Sequence, residues 1–177
     1  PPPIAFNDFR AYIKIWALVV LIAGGLLLWQ MTRAATTANV TATVSAVSLA
    51  VSVADGNIAY GSVALNTATT TVGNGETQVV TNDGSAAKLN VKSTHATGGT
   101  QWTLNPTTGS NLFIHEVSTT TGSTYMKFSD DTTYITASST FPSGAVTQNL
   151  DFRLTTPTVS TDFAQKSITV TVQVVSQ

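Results

Sequence analysis

Two histidines, His95 and His115, are the residues of this 177-residue sequence best equipped for acid–base or metal chemistry. A protein zinc site needs three or four converging ligands. Neither histidine stands in an H-x-x-H or H-E-x-x-H arrangement. His115 is followed by Glu116, but neighbours along a strand point to opposite faces, which argues against a dyad. Both histidines are expected as loop or strand-surface residues. Serines are plentiful, yet no G-x-S-x-G nucleophile elbow occurs. Asp130-Asp131 offers carboxylates to Ca²⁺, and Asp55-Gly56-Asn57 and Asn82-Asp83-Gly84 resemble fragments of Ca²⁺ loops. All three fall short of EF-hand spacing, and turn formation accounts for them. Cysteine is absent, so thiolate ligands, thiol nucleophiles and disulfides are excluded. No glycine-rich phosphate loop precedes a helix. The expectation is a non-enzyme with no cofactor, no metal and no catalytic residue. Asn39 heads the sequon Asn39-Val40-Thr41 and is a candidate glycosylation site.

Charge narrows the partners further. The chain carries 8 Lys and Arg against 9 Asp and Glu, a net charge of −1, and only 10% of its residues are charged. Phosphate binding needs clustered cations, so no nucleic-acid partner is expected. A surface of Thr, Ser, Ala, Val and Gly is held in solution by hydroxyls or covered by neighbouring subunits. The β-branched Thr and Val favour strands.

The N-terminal region is of a different kind. From Ile15 to Trp29 every residue is apolar or glycine. As a helix this run covers roughly 22 Å, and an extension from Ala11 to Met31 covers roughly 31 Å, against a hydrocarbon core of about 30 Å. Lys14 snorkels in such a span, and Trp16 and Trp29 stand where interfacial aromatics belong. Asn7 or Asp8 caps the helix start. Arg10 and Lys14 before the run leave the N-terminus on the cytoplasmic side. Two fates compete. In one the segment is a signal peptide cleaved at Thr32-Arg33-Ala34, before Ala35. In the other, which is favoured, it is retained as an anchor or filament-core helix. Pro1 in place of Met is read as the mark of an upstream cut. Ile15, Trp16, Leu18, Val19, Leu21, Ile22, Leu26, Leu27 and Trp29 would then form the apolar surface of a membrane or filament helix. The domain division expected is 1–35 for this helix and 36–177 for a β-rich head.

After Arg33 the pattern becomes period two. Val40, Ala42, Val44 and Ala46 share one face. Val47, Leu49, Val51 and Val53 follow with parity reversed, as a bulge or a strand changing sheets would require. A short strand is expected over Ile58 to Leu65. Further strands are expected at 77–81, 85–93, 102–104, 112–118, 125–129, 134–138, 150–154 and 168–174. Gly73-Asn74-Gly75 and Asn82-Asp83-Gly84 supply turns. Short strands at roughly 8–12-residue intervals indicate a mainly β fold, an Ig-like antiparallel β-sandwich of about seven to nine strands. Trp102 is expected as the central core aromatic, with Phe113 and Phe152 nearby.

One hydrophobic helix followed by a Thr/Ser-rich β-sandwich head resembles the pilin-type subunits of archaeal and bacterial surface filaments. Asp8, Arg10 and Lys14 stand before the apolar run, where bacterial type IV pilins open on Phe and Glu. The head also resembles exported Ig-like domains, including camelysin-like biofilm fibre subunits. That likeness is carried by Thr81-Asn82-Asp83-Gly84-Ser85-Ala86-Ala87-Lys88-Leu89, Trp102, Leu150-Asp151-Phe152-Arg153-Leu154 and Ile168-Thr169-Val170-Thr171-Val172. The resemblance implies a structural subunit of an extracellular, pilus-like filament. Its partners would be copies of itself, and the membrane before assembly. Its place would be the cell surface, reached by export through the cytoplasmic membrane. In a variant, a strand such as Thr36 to Ala46 pairs with a neighbour's open sheet edge. The alternative is a monomeric membrane-anchored domain for display or adhesion.

Overall fold

The structure, a computed structural model, describes residues 6–31 and 40–177; within the helix, side chains are described for Arg10 and residues 12–25. The chain divides into two compact units, Pro1–Val44 and Ser45–Gln177. In the first, helix α1 spans Phe6–Met31. Ala and Leu favour it, and no proline interrupts it. Gly24 and Gly25 each weaken it by about 1 kcal/mol relative to alanine, and no packing contact requires either. Ile15, Trp16, Leu18, Val19, Leu21 and Ile22 are between 49% and 75% exposed. Of Leu26, Leu27 and Trp29 only the helical backbone is described, and Asn39 lies outside the described residues. Among the described residues no helix is long and apolar enough to cross a membrane. The stretch with described side chains, 12–25, is shorter than the roughly 20 residues a crossing needs.

The second unit is built of strands: β1 (Val51–Val53), β2 (Ala68–Thr70), β3 (Gln78–Asn82), β4 (Ala87–Ser93), β5 (Thr103–Leu104), β6 (Leu112–Ser118), β7 (Met126–Lys127), β8 (Ile135–Phe141), β9 (Val146–Thr155) and β10 (Val170–Ser176). They form two sheets. The larger runs β1-β3-β9-β6-β5, with β2 on β9 and β7 on β6; the smaller runs β10-β4-β8. Both contribute to one core. Val80, Phe113, Val117, Leu150 and Phe152 come from the larger sheet, and Leu89, Val91 and Phe141 from the smaller. Each such side chain contributes about 1.5–3 kcal/mol on burial. Asn82 ties the sheets together. Its Nδ2 donates to the carbonyls of Ser85 (3.0 Å), Phe141 (3.0 Å) and Pro142 (2.8 Å), while its Oδ1 accepts from the Gly84 N–H at 3.0 Å. Gly84 is required there, because a Cβ would stand 2.3 Å from the Ser48 carbonyl oxygen.

Several expectations need correction. The alternating residues Val40 to Ala46 form no strand, and their side chains are exposed. Alternation supplies a face, but no neighbouring strand pairs with this one. Ile58 to Leu65 is also irregular. Gly56 and Gly61 have φ of 74° and 68°, and side chains capture its backbone, the Ala59 N–H donating to Glu76 Oε2 at 2.9 Å. Strand β2 was not expected; its three residues pair with Arg153 to Thr155 of β9. One strand pair, β5 with β6, is parallel. Trp102 is half-buried rather than central. Among the described residues the fully buried phenylalanines are Phe113, Phe128, Phe141 and Phe152.

Candidate functional site

The residue at the middle of the core is His115, not a surface histidine. The alternation along β6 decides this. Phe113, His115 and Val117 share the inward face and are 0%, 1% and 0% exposed. The imidazole lies against Phe152, centroids 5.5 Å apart and planes at 27°, and against Phe128 at 5.5 Å. A polar ring in such a place must satisfy both nitrogens. Its Nδ1 is 2.7 Å from Ser93 Oγ, on the opposite sheet, and its Nε2 is 2.8 Å from the Tyr60 hydroxyl. The two hydroxyls rotate to suit either neutral tautomer. Burial pushes the His115 imidazole down to about 3. Burial first, and then the Tyr125 phenolate, push the Tyr60 hydroxyl above its ordinary range.

The arrangement has the outline of a catalytic triad but lacks the accessible hydroxyl and the orienting carboxylate. A serine nucleophile needs an accessible hydroxyl and an imidazole able to take its proton, oriented by a carboxylate. Ser93 is fully buried, the orienting place is held by a phenol, and the imidazole is too weak a base near neutral pH. The cluster is an inter-sheet polar clamp. It also holds Tyr60, and with it the irregular segment 56–65.

That segment forms one wall of a cleft of about 1280 Å³. The floor is Leu150, Phe152 and Leu154 of β9, and the other wall is Val170 and Val172 of β10. Gln78 pins the near wall. Its Oε1 accepts from the Gly56 N–H at 2.8 Å, and its Nε2 donates to the Asn57 carbonyl at 2.7 Å. Trp102 and Lys166 also line the cleft. Lys166 Nζ donates to Asp162 Oδ1 and to the Thr100 carbonyl, each at 2.7 Å, and lies 5.4 Å from the Trp102 ring centroid. Lys166, then the donors of Thr100, hold the Asp162 carboxyl well below the usual carboxylate range. The Trp102 indole N–H donates to Ser160 Oγ at 3.0 Å.

The remaining candidates are locally engaged. His95 Nδ1 accepts from the Leu104 N–H at 3.1 Å, and its Nε2 is 3.6 Å from Asp131 Oδ2. Asp130 spends both oxygens on the loop it sits in. Oδ1 accepts from the N–H and hydroxyl of Thr132 and the N–H of Thr133, and Oδ2 from the hydroxyls of Ser129 and Thr133. Those bonds, Thr132 first, hold its carboxyl well below the usual range. Glu116 is nearly fully buried and pairs with Arg153, whose guanidinium lies 4.2 Å over the Tyr125 ring and whose pKa the Glu116 hydrogen bond raises. Asp151, which alternates with the inward Leu150 and Phe152, is nonetheless 1% exposed and accepts from the hydroxyls of Thr71 and Thr77. Among the described residues no group of three or more His, Cys, Asp or Glu could hold a metal ion. Sequence reasoning missed Tyr60, Ser93 and His115 as one cluster. Its one legible signal was the place of His115 between Phe113 and Val117. Compared with known proteins, the chain matches no family model, no curated protein and no solved structure.

Proposed function

We propose that this chain is a structural subunit of an extracellular, pilus-like filament, with α1 helices bundled at the centre and two-sheet heads, read as Ig-like sandwiches, outside. The observation that carries the reading is the exposure of Ile15 to Ile22. Eight consecutive residues without a polar side chain make a helix apolar on every side, and the large ones are about half to three-quarters exposed. Such a helix needs cover all round, from lipid before assembly and from sister helices after it. The low charge of the chain favours burial between copies. The interior polar cluster supports the same reading, because its hydrogen bonds are spent on holding the sheets together.

Replacing Leu18 and Ile22 together by Asp tests this. Electron microscopy of cells producing the double variant should find no filaments of this chain, while the head keeps its unfolding temperature. Normal filaments from that variant would overturn the reading. Single anchored copies in place of fibres from the unaltered chain would favour a display domain.

A further inference from the structure

We propose that the cleft beside β10 receives residues 40–47 of a second copy as an added strand. This deepens the filament reading above and rests on it for the choice of partner.

Three observations meet here. The first is the cleft itself. The smaller sheet has three strands, and β10 lies at its edge, paired along its length with β4 alone. An edge strand presents a row of free N–H and C=O groups. Beside it the core floor of Leu150, Phe152 and Leu154 lines the cleft. At about 1280 Å³ the space exceeds the roughly 300–1,000 Å³ of small-molecule clefts and suits a length of chain. The second concerns polar handles. Tyr60 and His115 bond to each other, His115 to Ser93, and Gln78 to Gly56 and Asn57, so these polar groups are already satisfied. An apolar strand face needs none; its affinity comes from main-chain bonds along the edge.

The third is the occupant. Residues 40–47 read Val-Thr-Ala-Thr-Val-Ser-Ala-Val, alternating from Val40 to Ala46, uncharged, and free of Pro and Gly. In their own chain they belong to no strand, and Val40 and Val44 are 92% and 97% exposed. A segment of this composition left open is a strand in want of a sheet. Beyond it Ser48 is tied back, its carbonyl accepting from the Ser85 N–H at 2.7 Å. Segment and cleft are different patches of one chain. Their union between copies is therefore heterologous, the kind of contact that extends a fibre instead of closing a dimer.

The chain has no cysteine, which makes the test direct. A V172C chain is mixed with full-length chains carrying one cysteine at each position from Val40 to Ala46 in turn. Disulfides are formed and linked peptides identified by mass. The expected result is linkage that peaks at one of positions 40, 42, 44 and 46 and is weak at 41, 43 and 45, because alternate side chains face the floor and a disulfide spans a Cα separation of only about 4.4–6.8 Å. No linkage at any position, or equal linkage at odd and even positions, would overturn the proposal. So would a V44C/V172C double variant that closes within single chains at high dilution. The filament reading fails separately. If the Leu18 and Ile22 double variant still forms fibres and the alternating linkage persists, the helical core is wrong and strand exchange stands. Fibres without linkage leave the helical core and remove strand exchange.

Discussion

Residues 40–47 and strand β10 carry the same alternating pattern and meet different fates. Val170, Val172 and Val174 pack on the core, and β10 pairs with β4 at every position from Val170 to Ser176. Val40 and Val44 are almost wholly exposed. Propensity and period are equal in the two, so neither explains the difference. A strand is a relation between two segments, and alternation records only which face would be buried once a partner arrives. The ordered region is stable because its faces are covered, and the free segment contributes nothing until it finds an edge.

The largest expected effect probes the covered side. Phe152→Ala should cost about 3–5 kcal/mol of unfolding free energy in urea titrations, by emptying the floor beneath His115. A loss below 1 kcal/mol would mean that the floor is not packed as described. Acid comes next, and it acts on the ordered region alone, since residues 40–47 hold no titratable side chain. The folded-state value of His115 is lowered from 6.5 to about 3. Above pH 6.5 the group is neutral in both states and adds no pH dependence. As pH falls from there towards 3, the unfolded chain takes up a proton that the folded one refuses. Stability should therefore drop by up to about 1.4 kcal/mol per pH unit, or about 2 kcal/mol by pH 5. The slope between pH 7 and 5 should flatten in His115→Asn, and an unchanged slope would place its origin elsewhere.

A smaller gain is expected at Thr121, a β-branched residue held at φ 52°. Thr121→Gly should raise stability by about 1 kcal/mol, read as a higher melting temperature. The smallest effect belongs to the free segment. Val44→Ala should change the unfolding free energy of the unassembled chain by less than about 0.5 kcal/mol. A cost like that of a core valine would show that the segment is already covered in the single chain.

Much of the body was legible. Strand β6 lies where the sequence placed it, and β3, β4, β9 and β10 lie within a few residues, because each alternates between Gly-, Asn- or Pro-marked turns. Ala87, Leu89 and Val91 alternate with Lys88, Asn90 and Lys92, and it is the apolar set that is buried. The errors share a cause. Ile58 to Leu65 alternates loosely, but its backbone bonds go to the side chains of Glu76 and Thr156, which no periodicity records. Strand β2 is Ala-Thr-Thr, too polar to announce itself, and is held by its register on β9. Asp151 and Glu116 occupy outward positions by period yet are buried, covered by Thr71, Thr77 and Arg153. His115 sat in a legible inward register, but a histidine reads as polar until Ser93 and Tyr60 are known to meet it.

Strand β10 pairs with β4, which precedes it by almost half the chain, and β9 must join β2, β3 and β6 before the floor exists. Neither sheet can be completed while the polypeptide is still emerging from its N-terminal side. Loop closure of that span must be met before distant pairings reward it, so folding is expected to be slow. A nascent chain of this topology stays open and threadable for longer than one built from neighbouring hairpins, and during that interval its valine-rich stretches need protection from one another.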